Sequence, residues 1–260
     1  MQFSKRVIAL WVVGFFLVLF FTMPAKLLLS MLGLQRVGIY FQGSQGYWHK
    51  GESQLLQLRI QGHTLQLEDV VWNVSLSKLM LANASAELTA NFSGRTLRAT
   101  ISRSLFGSSS VSELSAMLNF DDIRPLMRTL IVPVNGSIEL RDVSFDHDGE
   151  WITSLSGTSI FRQLSAIAPL GEIALGDELV LSLSVADDDT ATGSLEANLI
   201  KYTGQFGLEG SATLAPNLKY AIKLTSVPDG TVEPIIVQQM GMIFGPPVQG
   251  QYFFEYSAGL

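Results

Sequence analysis

The stretch Glu178–Ala186, which reads ELVLSLSVA, decides the fold of this chain. Leu179, Leu181, Leu183 and Val185 occupy alternate positions in it. Successive side chains of an extended strand point to opposite faces, so a period of two predicts a strand with one apolar face. The stretch therefore indicates a half-buried β-strand.

Similar alternation recurs along much of the chain after residue 50. Asn217–Thr225 and Leu195–Leu199 repeat it, and Leu55–Ile60 and Leu97–Ile101 follow it more loosely. Glycine, asparagine, aspartate and serine separate these runs, as expected for turns between antiparallel strands. The tract 187–190 is interpreted as one of these turns. We predict a mainly β protein with a few helices.

Two stretches have helix-start signals. Asp121-Asp122 precede Ile123–Leu130, and Asp229 precedes Val232–Ile243. Each stretch carries a proline in its first turn, where a missing N–H is tolerated. Two such helices cannot cover a sheet of ten or more strands, because each spans only about 15 Å. The sheet is therefore expected to pack on itself as a sandwich or to curve into a trough.

The two helical stretches belong to a candidate internal repeat. Ile123–Met127 resembles Val232–Ile236, and the Pro-Val-x-Gly turn ending at Gly136 resembles the one ending at Gly250. Repetition of this kind predicts a duplicated β-rich unit with one short helix in each copy. We assign residues 46–146 to the first copy and residues 147–260 to the second. A third similarity joins residues 67–72 (LEDVVW) to residues 140–145 (LRDVSF).

The N-terminus carries an apolar run. Val7–Phe21 contains no polar side chain, and Lys5 and Arg6 precede it. With Thr22 and Met23 the run has 17 residues, about the shortest length that spans a bilayer, and a cleaved signal peptide is the alternative interpretation. We favour an uncleaved transmembrane anchor over residues 7–25. The two basic residues predict that residues 1–6 stay in the cytoplasm. Residues 26–45 form a juxtamembrane segment. Within it, the apolar stretch Lys26–Leu34 could lie in the membrane interface or continue the helix, and we favour a continued helix.

The charge distribution excludes one class of partner. Five basic residues and no acidic residue precede Gly51, whereas 12 basic and 23 acidic residues follow from there, a net charge of −11. An acidic body repels nucleic acid over a Debye length of about 8 Å. The body is therefore not expected to bind nucleic acid.

No motif for catalysis or metal binding stands out. The chain has no cysteine, and its histidines (His49, His63 and His147) form no i, i+4 pair. The tract Asp146-His147-Asp148-Gly149 is interpreted as a hairpin turn rather than a metal cluster. We therefore assign no catalytic, cofactor-binding or metal-binding residue and predict that the protein is not an enzyme.

The order of structural motifs resembles a known family. A short basic start and one span are followed by a glycine–tryptophan turn at Gly46, Trp48 and Gly51, then by Trp72, and finally by a strand that begins after Gly250. The further matching positions are Pro24-Ala25, Gly62, Leu65, Val71, Leu79, Tyr252, Phe254, Tyr256 and Gly259-Leu260. This pattern resembles protein N of the bacterial type II secretion system, a family also called general secretion pathway protein N.

The resemblance implies a single-pass protein of the inner membrane with a periplasmic domain. Its partners would be other type II secretion proteins of the envelope, and its role would be to assist export of folded proteins across the outer membrane. Exposed strand edges offer one way to dock, by strand addition. The alternative is an envelope protein similar to the AsmA-like proteins, which binds or shuttles phospholipid in an apolar groove of the sheet. Neither hypothesis requires a cofactor.

Overall fold

The computed structural model describes residues 14–15, 18–31, 33–60, 63–104, 107–124, 134–168, 171–186 and 193–259. The chain divides into two compact units, residues 1–96 and residues 97–260, called here the first and second units. Both consist mainly of antiparallel strands with few helices, which confirms the predicted mainly β class.

Beyond Pro24, the described residues of the first unit form two short helices and five strands. Its elements in chain order are α1 (Ala25–Met31), a 3-10 turn (Leu34–Val37), β1 (Ile39–Gln42), β2 (Gln45–Tyr47), β3 (Lys50–Ile60), β4 (His63–Val74), α2 (Leu76–Met80) and β5 (Asn83–Phe92). The strands lie in the order β1-β3-β4-β5, and β2 pairs with β3 beyond the end of β1. Its buried apolar side chains include Leu56, Leu67, Val70, Trp72, Ala90 and Phe92.

The N-terminal helix was expected to continue into residues 26–34, but it is interrupted before them. The helical backbone ends near Phe21, and Pro24 forms an isolated β-bridge with Tyr47 before α1 begins. Proline fixes its own backbone and disfavours helix in the residue before it, here Met23, so a new helix starts after it. Of the predicted anchor, residues 7–13 and 16–17 lie outside the described residues.

The second unit is a larger antiparallel sheet. Its elements are β6 (Arg95–Ser104, which begins at the unit boundary), β7 (Ser109–Asn119), α3 (Phe120–Ile123), β8 (Val134–His147), β9 (Ile152–Ala168), β10 (Gly171–Val185), β11 (Leu195–Thr203), β12 (Leu208–Leu214), β13 (Lys219–Ser226), α4 (Pro234–Phe244) and β14 (Tyr252–Gly259). Each strand from β6 to β14 pairs with the strand next to it in the chain. β14 is the last strand in this order.

The alternation in the sequence corresponds to the two faces of this sheet. Leu183 lies opposite Ala197, Ala197 opposite Ala212, Ala212 opposite Ile222, and Ile222 opposite Tyr256. Directly paired residues share a face, so one apolar row crosses five strands. The long strands also contain bulges that the alternation does not indicate.

The helix predicted at Val232–Ile243 is observed as α4, with Pro234 in its first turn. Asp229 lies before it and accepts a hydrogen bond from the Thr231 backbone N–H at 2.8 Å. Val232 and Met240 pack against Phe206 and Tyr252 in a buried cluster. α4 therefore covers one end of the apolar face. Of the other predicted helix, the structure describes only the part that overlaps α3, and residues 125–130 lie outside the described residues, as does the predicted turn at 187–190.

Bulges occur at matching positions of the similar sequences LEDVVW and LRDVSF. Asp69 in β4 has φ of 48° and Asp142 in β8 has φ of 50°. The strand register shifts at both places, and the next residues, Val70 and Val143, are both buried. The similarity between the two sequences thus coincides with the same local backbone geometry. The duplication itself and its boundaries remain a prediction.

Candidate functional site

The glycine–tryptophan turn is a tight hairpin between β2 and β3. Tyr47 pairs with Lys50, and Gly46 pairs with Gly51, which leaves Trp48 and His49 as the two turn residues. Gly46 has φ of 84°, and a Cβ there would lie 2.8 Å from the Lys50 carbonyl oxygen. Only glycine combines this φ with such a close approach of two backbones.

Trp48 connects this hairpin to the end of the N-terminal apolar run. Its indole Nε1–H donates a hydrogen bond to the Phe20 carbonyl oxygen at 2.7 Å, and its backbone N–H donates to the Met23 carbonyl oxygen at 3.3 Å. The ring centroids of Trp48 and Phe20 are 4.8 Å apart. The carbonyl groups at the end of a helix lack partners within that helix, and Trp48 supplies one for Phe20.

Trp72 fixes the hairpin from the other side. Its indole Nε1–H donates a hydrogen bond to the Trp48 carbonyl oxygen at 3.1 Å. Its ring lies over Gly51, where a Cβ would come within 2.5 Å of Cζ2 of Trp72. The structure therefore brings Gly46, Trp48, Gly51 and Trp72 together in one cluster, called here the tryptophan junction. The roles of Phe20 and Met23 were missed from sequence, because their backbone carbonyl groups carry no sequence signal.

The other predicted site residues lie elsewhere. Gly136 has φ of 128°, lies in a bulge of β8, and a Cβ there would be 2.8 Å from the Arg162 carbonyl oxygen. Gly250 has φ of 82° and precedes β14 in a tight turn closed by Val248 and Gln251, with open space around it. Both glycines require a positive φ, but their surroundings differ. Lys5 and Arg6 lie outside the described residues.

The second unit presents an apolar face beyond the end that α4 covers. Every residue on it is at least partly exposed, and Tyr256 is 41% exposed. The face consists of Leu181, Leu183, Val185, Leu195, Ala197, Leu199, Gly210, Ala212, Leu214, Tyr220, Ile222, Leu224, Phe254 and Tyr256. Apart from two tyrosine hydroxyl groups, its side chains offer no hydrogen-bonding group.

The opposite face carries a chain of ion pairs across β8 to β11. Arg162 contacts Glu139 at 3.2 Å and Glu178 at 2.9 Å, Arg141 contacts Glu139 at 2.6 Å, and Lys201 contacts Glu178 at 2.7 Å. Hydrogen bonding from Arg141 lowers the pKa of Glu139, and hydrogen bonding from Lys201 lowers the pKa of Glu178. The sequence did not reveal this network, because it depends on the register of four strands.

β11 and β12 separate at their connecting loop. They pair only between Leu195–Asn198 and Ser211–Leu214, so the ends near the loop enclose an open cleft of about 650 Å³. Ile200, Tyr202 and Val227 are among its lining residues. Tyr202 is held in place because its hydroxyl donates to the Leu175 carbonyl oxygen at 2.7 Å and accepts from the Phe206 N–H at 3.1 Å.

The tract Asp146-His147-Asp148-Gly149 forms a turn between β8 and β9. Asp148 Oδ1 accepts hydrogen bonds from the backbone N–H groups of Glu150 and Trp151, both at 2.9 Å, and these bonds lower its pKa. His147 Nδ1 accepts from the Gly149 N–H at 2.9 Å. The polar atoms of this tract are thus used to close a turn. Within the described ranges, no cluster of three or more histidine or acidic residues could hold a metal ion.

The fold defines an antiparallel β protein with a partly exposed apolar face. Its described residues contain no metal cluster. Where the structure describes the chain, no helix has the length and apolar character that crossing a membrane requires. No curated protein and no solved structure matches the chain.

The model of the family "Type II secretion system (T2SS), protein N" matches residues 38–254. The chain belongs to this family, which confirms the resemblance seen in the sequence. It is therefore a component of the type II secretion system of the bacterial envelope.

Proposed function

We propose that this protein is a non-enzymatic, single-pass component of the inner membrane, whose periplasmic domain assists export of folded proteins across the outer membrane. Residues 7–25 form the anchor, and Lys5 and Arg6 hold the N-terminus in the cytoplasm. The chain belongs to the T2SS protein N family, and within it the tryptophan junction is the observation that carries the proposal. It ties the end of the apolar run to the sheet through two hydrogen bonds from Trp48.

A topology experiment tests the anchor. A reporter that is active only in the periplasm, fused after Leu260, is expected to be active, and a reporter active only in the cytoplasm is expected to be silent. The opposite pattern would refute the proposed orientation. Peptide sequencing of the mature N-terminus separates an anchor from a signal peptide, since a start at Ala25 or later means cleavage.

The domain docks onto other secretion proteins by strand addition at β14. In the described part of the second unit, β13 is the strand that pairs with β14, so the other edge of β14 is where a further strand would add. Phe253 is 53% exposed and lies on the face of β14 opposite to Tyr252 and Phe254. Main-chain hydrogen bonds would supply affinity there, and the exposed aromatic side chain would add specificity.

Charged residues on an edge strand oppose pairing, so they test this mode of docking. The double variant Phe253→Lys, Ser257→Lys is expected to lower secretion while the fold and membrane insertion persist. The control is Met117→Lys, because Met117 is also exposed, at 38%, but lies on β7, which pairs on both sides. Equal secretion in the edge variant and the control would exclude docking at β14.

Lipid binding is the second candidate function, and the uncovered apolar face favours it. Five strands span about 19 Å, comparable to the ~15 Å thickness of one layer of acyl chains in a bilayer. A large exposed apolar patch commonly marks a binding surface. Under this alternative, one acyl chain lies across the strands beside α4.

Mass spectrometry of the purified protein distinguishes the two functions. Co-purification of phospholipid near one to one supports the alternative. Leu183→Gln is then expected to lower the bound lipid, whereas Ser182→Gln, on the opposite face of the same strand, leaves it unchanged. Protein without lipid that co-purifies with other secretion components supports docking instead.

A further inference from the structure

We propose that the end of the first unit nearest the anchor is a membrane-contacting rim, which rests on the lipid headgroups of the bilayer. The rim consists of the β2–β3 turn, Tyr47–Lys50, and α2 with the residue that follows it, Leu76–Leu81. This inference rests on the proposed membrane anchor. It adds a second contact with lipid, made by the folded domain itself.

The two parts of the rim lie at the same end of the strands. The Val74 N–H, at the end of β4, donates a hydrogen bond to the His49 carbonyl oxygen at 2.6 Å. Lys50 pairs with Asn73 where β3 begins and β4 ends. The tryptophan junction ties this same end to Phe20 and Met23. The last residues of the apolar run and the rim are therefore adjacent.

The rim exposes large apolar side chains that a water-facing loop does not require. Met80 is 90% exposed, Leu81 is 80% exposed and Tyr47 is 49% exposed. Phe20 and Phe21 beside them are 46% and 40% exposed. Isolated apolar residues are common on protein surfaces, but a group of them around the end of an apolar segment marks an interaction site.

The side-chain chemistry favours a lipid surface over a protein partner. Tyrosine and tryptophan are concentrated where hydrocarbon meets water, because their rings are apolar and their polar groups can be hydrated. Lys26, Lys50 and Lys78 are exposed around the same end, against two exposed acidic residues, Glu52 on β3 and Glu87 on β5. Lysine can place its apolar stem in the interface and its ammonium group among the phosphates.

Depth measurements on the full chain test the rim. The native chain has no cysteine, so single cysteines can carry spin labels specifically. The four labelled variants are Leu19→Cys in the anchor, Tyr47→Cys and Leu81→Cys in the rim, and Thr64→Cys at the far end of the β3–β4 hairpin. About nine residues of strand place Thr64 roughly 30 Å from the rim. Each variant is reconstituted in vesicles of phosphatidylethanolamine and phosphatidylglycerol.

The expected result is a gradient of depth. The label at position 19 lies in the hydrocarbon, those at 47 and 81 lie at the boundary of headgroups and acyl chains, and that at 64 lies in water. Labels at 47 and 81 as accessible to water as the label at 64 would overturn the rim while leaving the anchor intact. A water-exposed label at 19 would overturn the anchor itself, and with it both proposals.

A charge variant tests whether the apolar side chains cause the contact. Met80→Glu, Leu81→Glu is expected to increase the water accessibility of the label at position 47, because carboxylates are expelled from the interface. The matched control Thr64→Glu, Gln66→Glu places two charges at exposed positions of the far end. An equal change in both variants, or no change in the first, would overturn the rim.

Discussion

Replacing Gly51 by alanine is expected to open the tryptophan junction. A Cβ at this position would lie 2.5 Å from Cζ2 of Trp72 and 2.6 Å from the Gln45 carbonyl oxygen. The carbonyl oxygen belongs to the paired strand and cannot turn away. Trp72, which is 8% exposed, has to move, and its 3.1 Å hydrogen bond to the Trp48 carbonyl oxygen is then lost.

The size of the effect follows from three contributions. Overpacking a core costs about 1–3 kcal/mol, and the lost hydrogen bond adds about 0.5–1.5 kcal/mol. Alanine loses less backbone freedom than glycine, which offsets about 0.5–1 kcal/mol. The free energy of opening the first unit is therefore expected to fall by about 2 kcal/mol.

Hydrogen exchange read by mass spectrometry resolves this effect by region. A loss of 2 kcal/mol corresponds to about 30-fold faster exchange of the amides that become exposed when β3 and β4 open. Peptides from the second unit serve as an internal reference. Gly230→Ala is the matched control, because a Cβ at Gly230 meets nothing within 4 Å. Unchanged exchange in β3 and β4 of the Gly51→Ala protein would refute the argument that Trp72 packs directly against the backbone of Gly51.

Three further predictions concern the second unit. Gly136→Ala should lower the free energy of unfolding by at least about 1 kcal/mol more than Gly250→Ala. Alanine is strained by the positive φ at both positions, but only at Gly136 does its Cβ meet a backbone oxygen. Equal losses in denaturant titrations would contradict this. Glu139→Gln should lower the melting temperature more at pH 7 than at pH 3. A carboxyl group with a lowered pKa stabilises the fold above its ordinary pKa of about 4.3 and loses that contribution as the pH falls through the lower, folded-state value. An equal difference at both pH values would exclude the ion-pair explanation. Tyr202→Phe should destabilise the second unit by about 1–2 kcal/mol, because the Leu175 carbonyl oxygen and the Phe206 N–H lose their hydroxyl partner. Unchanged hydrogen exchange at the Phe206 amide would argue against this prediction.

The sequence predicted the strands better than their connections. The alternation around Leu183 and Ile222 indicated strands with one apolar face, and the register confirms that both lie on the same face. A proline after a capping residue also located α4 to within two residues at its start. Both signals are local, because the alternation of apolar residues and the capping of a helix each involve only a few consecutive residues.

The candidate site could be predicted only in part. The sequence singled out Gly46, Trp48, Gly51 and Trp72 by resemblance, but did not show that Trp72 donates to the backbone of Trp48 across 24 residues. That contact depends on the register of β3 with β4, which stays constant along the hairpin and is set by pairing over its whole length. The bulge at Asp69 shifts the register of β4 with β5, and the preference of aspartate for the left-handed region is too weak to locate such a bulge from sequence.

The succession of strands in the second unit has a consequence for how the protein folds. From β6 to β14, every strand pairs with its immediate neighbour in the chain, so each pairing lies within one strand–loop–strand stretch. Closing one such stretch at a time costs less chain entropy than bringing together strands that are distant in sequence. A nascent chain can therefore add one hairpin at a time to a growing sheet, without waiting for its C-terminal residues to be synthesised.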